Sequence, residues 1–270
     1  MKLETRWLPA LWIIWGILVL MAVANYYLQG TLSVTTANML LHKFKLDAEA
    51  NIPTWFSSAM LALGGLGWWG LARQAKSEGD RDHWRMALLA GIFLYLSCDE
   101  TAGIHEMASG PIKNTFGQSK IFVHAWVIFG IIPVIIVSAM MLPMLLRLSR
   151  TMRNGLLLAG GLYLGGALLV ETIGGAISGV EGKGTFAYFV ASSIEESMEM
   201  AGAIMVIQTL AFEMRRRTGS AEAEAPSVVR HPGRPAAIQP AAPRQTSAVN
   251  PELPMGSALG SRSGMVVDRH

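Results

Sequence analysis

Residues 86–107 read MALLAGIFLYLSCDETAGIHEM. The first half is the interior of a membrane helix. The second half brings Asp99, Glu100, His105 and Glu106 into the same run. A single charge at the bilayer centre costs about 2.5–3.5 kcal/mol even on the lenient insertion scale. Four such groups facing lipid would expel the segment, so they must face inward, toward one another, a bound ion or water. The stretch therefore predicts a membrane helix that forms one wall of a polar interior.

The rest of the chain agrees. Of 270 residues, 51% are hydrophobic, which is high for a soluble domain. Apolar runs of about twenty residues recur, enough to cross a core of about 30 Å at 1.5 Å per residue. Six spans are expected, over 7–28, 53–72, 86–107, 121–146, 155–178 and 185–212, giving an all-α, polytopic transmembrane helix bundle. Basic residues sort by side. Lys2 and Arg6, the group Arg73, Lys76, Arg81 and Arg85, then Arg147, Arg150 and Arg153, and Arg215, Arg216 and Arg217 fall on one side; Lys43, Lys45, Lys113, Lys120 and Lys183 fall on the other. The positive-inside bias then puts both termini in the cytoplasm, as in a multi-pass protein of the inner membrane. Ala22-Val23-Ala24 could be read as a signal cleavage site, but the apolar stretch before it is long and carries three tryptophans, which favours a retained helix.

Residues 1–217 are thus expected to form the membrane domain. Residues 218–270 turn to Ala, Pro, Ser, Gly and Arg and are expected to be a disordered cytoplasmic tail. The single cysteine, Cys98, excludes an internal disulfide and any multi-cysteine metal site. The basic pI of 9.1 follows from loop and tail residues and calls for no nucleic acid. Gly161-xxx-Gly165 and Gly175-xxx-Gly179 predict close helix contacts, within the bundle or between copies in a homo-oligomer.

Ionisable residues recur in four of the six spans: Asp99, Glu100, His105 and Glu106; His124; Glu171; and Glu195, Glu196 and Glu199. Counted along their helices, all can meet in the outer half of the bilayer. At 100° per residue, Asp99 and Glu106 would share a face with Ala102 and Gly103, while the three glutamates of the last span fall within one arc of about 100°. Carboxylates stacked on one face repel unless protonated or neutralised, and a multivalent cation neutralises them most economically. Carboxylates and imidazoles converging from several helices are the ingredients of a di-metal carboxylate centre. Asp99, His105, Glu106, His124, Glu171, Glu195 and Glu199 are the expected metal ligands, with Glu196 and Glu100 as acid–base residues. Oxygen-rich ligation favours iron or manganese, with zinc as the alternative. The Glu-x-x-His spacing of di-iron bundles is absent, and HEMAS lacks the second histidine of a zinc-protease helix.

Ser-x-Asp-Glu followed by Ile-His-Glu, with Glu-Glu-x-x-Glu-Met-x-Gly in the last span, resembles an uncharacterised group of bacterial multi-pass membrane proteins. That resemblance covers most of residues 7–212 and implies no function. From the residues themselves, the leading expectation is a membrane metalloenzyme, an oxidoreductase or hydrolase acting on a lipid-like or other apolar substrate. The alternative is a transporter coupled to protons or metal ions through the same acids. A subunit or sensor contacting partners through its tail is a third.

Overall fold

The computed structural model describes residues 5–28, 39, 42–105, 107 and 126–224. Two of the expected ligands, Glu106 and His124, and the segment after Glu224 lie outside the described residues. Among the described residues there is no strand, and most of them fall in six helical rods. These are α1 (Leu8–Leu28), α2 (Ile52–Ser77), α3 (His83–Ala102), α4 (Trp126–Arg147), α5 (Arg150–Val180) and α6 (Phe186–Glu224).

Local chemistry sets the boundaries. Asn51 caps α2, its side chain accepting from Thr54 N–H at 3.0 Å, and Pro53 occupies the first turn, where a missing N–H costs nothing. Ser149 caps α5 in the same way through Met152 N–H. At the end of α3 the chain turns at Gly103 (φ +58°), whose N–H bonds the Asp99 carbonyl in a left-handed cap. The helix expected to run to 107 therefore changes direction after Ala102; Glu106, the partner of Asp99 on the expected common face, lies outside the described residues. Helix α5 is α-helical over Arg150–Leu164, widens to a π-helix over Gly165–Val170 and returns to α over Glu171–Val180.

Helix α6 is the hub, packing on α5, α2 and α1, while α2 and α3 form a tight antiparallel pair. Met200, Ala203, Ile204 and Leu210 of α6 are buried against Leu61, Trp68 and Leu71 of α2. Two tryptophans tie α1 to the hub: Trp12 Nε1 donates to Gln208 Oε1 at 3.2 Å and Trp15 Nε1 to the Ser197 carbonyl at 3.1 Å.

Outward-facing surfaces are apolar, with Leu20, Ile135 and Leu169 each more than half exposed. Three helices, Leu8–Leu28, Gly130–Arg147 and Arg150–Val180, are long and apolar enough to cross a membrane, which marks the chain as a membrane protein. Pro133 and Pro143 sit inside one of them, as membrane helices tolerate. In α3 and α6 the acids lower the hydropathy; in α2 the serines, glycines and tryptophans do so.

One end of the bundle is tied by charge. Asp82, buried between α2 and α3, accepts from Arg85 and from Arg147 at the end of α4, the latter through Nε at 2.8 Å. Arg217 reaches Glu78 at 3.3 Å and Arg215 reaches Thr5 at 3.2 Å. The starts of α1 and α3 and the ends of α2, α4 and α6 thus gather at one basic end.

Candidate functional site

Measured from that basic end at 1.5 Å per residue, Asp99 and Glu100 lie roughly 25 Å along α3, while Glu171 and Glu196 lie roughly 31 Å along α5 and α6. Residues from three helices thus reach one level, far from the arginines. Asp99 and Glu171 are buried; Glu100, Glu195, Glu196 and Glu199 are half-buried, so they border space rather than being packed solid.

Helix α5 makes room for the glutamates of α6. A Cβ on Gly166 would come within 2.9 Å of the Glu195 carbonyl and 3.0 Å of Glu199 Cγ, and one on Gly174 within 3.7 Å of Glu195 Oε2. Only hydrogen at Gly166 lets the acid-bearing face of α6 approach this closely. The π-helical turn begins beside Gly166 and ends immediately before Glu171. Such an expanded turn rotates the residues beyond it relative to a regular helix and is frequent at functional sites. Gly202 gives the next contact, where a Cβ would meet the Ala159 carbonyl and Tyr163 N at 2.8 Å.

Glu196 turns the other way. The charges acting on it are Glu100 first, then Glu195, Asp47 and Glu171; those acting on Glu199 are Glu196, Glu100, Glu195 and Glu171. All are carboxylates. Tyr163 on α5 stands beside the same group, with Glu199 the charge that weighs most on it and Glu100 next. Ser57 of α2 is 1% exposed and turned toward Glu100, yet its hydroxyl completes no hydrogen bond of good geometry.

Asp99 does something narrower than expected. Its Oδ2 lies 2.8 Å from His105 Nδ1 and its Oδ1 accepts the His105 backbone N–H at 2.9 Å. The left-handed turn at Gly103 folds the histidine back over the end of α3 to make this pair. A carboxylate gripping one ring nitrogen fixes the orientation of the other, the arrangement by which metal-binding histidines are held. Glu49 closes over the same turn: a Cβ on Gly103 would lie 2.6 Å from its Oε1.

Glu100, Glu171, Glu195, Glu196 and Glu199 are thus within electrostatic reach of one another, and Asp99 pairs with His105. Cys98 is exposed. Among the described residues, no three of His, Cys, Asp and Glu stand close enough to hold one metal ion as they are placed. Asp47, Glu49, Ser57 and Tyr163 join the site without having been singled out in the sequence. Asp47 and Glu49 sit in a short linker ahead of α2, where acids look like ordinary loop residues; their only signal was the side of the membrane on which that linker falls.

A family model described as a domain of unknown function (DUF8692) matches residues 11–214. The chain belongs to this family. The DUF8692 match runs from α1 past the acid-bearing part of α6, so the family unit contains every site residue named above, and it fits the resemblance to an uncharacterised group. No curated protein and no solved structure matches the chain.

Proposed function

We propose that the protein crosses the inner membrane six times with both termini in the cytoplasm, and that its acid cluster binds a metal cation with which it acts on an apolar, membrane-borne substrate. One observation carries this reading: glutamates from α3, α5 and α6 converge at one level, and the charges that weigh most on Glu196 and Glu199 are other carboxylates. A cation, protons, or both must offset that repulsion. The incomplete burial of four of the glutamates supports a space that takes a ligand.

In this reading Glu171, Glu195 and Glu199 supply oxygen ligands and Asp99 orients His105, with Glu106 and His124 retained on sequence grounds as further ligands. Iron or manganese suits this donor set, with zinc next. When bound, the metal would supply a Lewis acid or an activated water or oxygen. Glu196 and Glu100, neighbours across the α3–α6 gap, hold and move a proton. Full-length protein purified in detergent should carry about one or two equivalents of metal, as a dedicated bundle site does. Glu199→Gln should remove it. Wild-type protein that binds none of the three metals after stripping and reloading would overturn the proposal.

A second reading is favoured by the position of Asp47, which stands among the charges on Glu196 although it belongs to the linker before α2. Asp47, Glu196 and Glu199 then form a line of carboxylates leading inward, as a proton or metal-ion pathway would need. Metal uptake or a pH-driven flux in proteoliposomes, lost in Asp99→Asn, would support transport.

A further inference from the structure

At the end opposite the arginines, a cleft of about 110 Å³ opens between α1, the 42–51 linker and the α5–α6 turn. Its walls carry Lys45, Asp47 and Lys183, with Tyr26 and Phe189 beside them and Ser193 of α6 below. Two lysines against one aspartate leave the cleft with a net positive charge. Both lysines belong to the non-basic end, where cations are otherwise sparse.

Three features decide what this cleft fits. The volume is well under the ~300–1,000 Å³ that encloses a drug-sized ligand, so only a small head enters and the remainder of the ligand stays outside. The remainder has somewhere to go. Tyr26 stacks on Phe189 at 4.1 Å between ring centroids and contacts Tyr27 and Phe186, which are 64% and 56% exposed. Aromatic side chains grouped at a helix end mark the headgroup level of a bilayer, with hydrocarbon directly below. Finally, the lysines are braced at that level, Lys45 Nζ by Asp47 at 3.2 Å and Lys183 over the Tyr188 ring at 5.9 Å. Ammonium groups held beside an interfacial aromatic cluster suit an oxyanion head.

We propose that the cleft is the binding site for an anionic amphiphile of the bilayer, its phosphate or carboxylate head held by Lys45 and Lys183 and its chain lying along Tyr27 and Phe186. Ser193, at the floor of the cleft, lies about one helical turn from Glu196, and Asp47 of the cleft wall is among the charges acting on that glutamate. The bound head therefore stands at the mouth of the candidate site. This deepens the proposed function by naming its substrate class and rests on that reading only for the step from binding to reaction; the binding itself is measured without metal.

The test uses full-length protein in nanodiscs of neutral phosphatidylcholine, with and without phosphatidylglycerol, after metal removal. Retained lipid is counted by native mass spectrometry. Phosphatidylglycerol should be retained about tenfold over phosphatidylcholine, a preference of the size two charge-assisted contacts supply, and the double variant Lys45→Gln/Lys183→Gln should lose it. Lys76→Gln at the basic end should keep it, as should Lys45→Arg/Lys183→Arg, which preserves both charges; an unchanged thermal midpoint of Lys45→Gln/Lys183→Gln shows that its loss is not misfolding. Equal retention of the two lipids by wild-type protein overturns the proposal. So does loss in the arginine variant, or displacement of the lipid by millimolar inorganic phosphate, which would mark a site for small free anions. Failure of the protein to bind metal leaves this result unaffected, so the two proposals fail separately.

Discussion

Asp99 and Asp82 show how position decides what a buried carboxylate does. Asp82, at the basic end and outside the spans, is held below the usual carboxylate range: burial pushes it up, and the hydrogen bonds and charges of Arg147 and Arg85 outweigh that. A carboxyl whose folded pKa is depressed contributes stability above its unfolded value of about 3.8, and this is lost as pH falls through the folded value. The thermal midpoint of the detergent-solubilised protein should therefore fall below about pH 4, and Asp82→Asn should remove that part of the dependence while costing about 1–3 kcal/mol at neutral pH. Asp99 binds a histidine instead, and its expected role is to orient it. Asp99→Asn should weaken metal binding by about 10–100-fold, as loss of a ligand-orienting carboxylate does, whereas Glu199→Gln should abolish it. Equal effects of the two substitutions, by metal titration, would remove the distinction. Helical counting along the sequence put Asp99 in the outer half of its span. It did not show that Asp99 closes on His105, because angles of 100° per residue presuppose a helix through Gly103, and the left-handed turn there breaks the phase.

Among the elements, α5 is where sequence and structure part most. Its glycines read as two close-packing pairs, yet a Cβ on Gly161 would meet nothing within 4 Å, and one on Gly165 only the flexible end of Met198. The close approaches between α5 and α6 fall at Gly155, Gly166 and Gly202. The π turn explains part of this: an expanded turn shifts which residues face α6, and no residue type announces it. Gly202→Ala should lower stability by about 1–3 kcal/mol, because backbone atoms cannot yield to the added methyl. Gly161→Ala should be neutral or stabilise by up to about 1 kcal/mol, since alanine is the better helix former. Thermal unfolding of both variants in one detergent separates them; equal losses would mean that Gly161 is a contact position between copies. Helices set by apolar length and polar breaks were legible: each expected segment overlaps one of the six described rods, with ends displaced by capping chemistry at Asn51, Gly103 and Ser149, while three of the rods are long and apolar enough to cross a membrane.

For the whole molecule, the polar contacts at Asp82, Glu78 and Thr5 gather five helix ends at one end of the bundle. This yields a topology test. In a Cys98→Ala background, a cysteine placed at Gly79 should resist a membrane-impermeant thiol reagent in intact cells and react after permeabilisation, while one at Gly184 should react in intact cells. The reverse pattern would invert the orientation. What sequence could not give at this scale is which helix lies in the middle, since burial depends on neighbours brought together across up to about two hundred residues of chain, as Trp12 and Gln208 are.

The link between α1 and α6 has a consequence for how the protein is made. The ribosome delivers α1 first and α6 last, and α6, with three glutamates, is not apolar enough to qualify alone for the bilayer. Its packing partners are already made when it emerges: Trp12 and Trp15 to take Gln208 and the Ser197 carbonyl, and the glycines of α5 to take the acidic face. Assembly of the acid cluster then waits for α6, and a chain released before that helix carries an incomplete site.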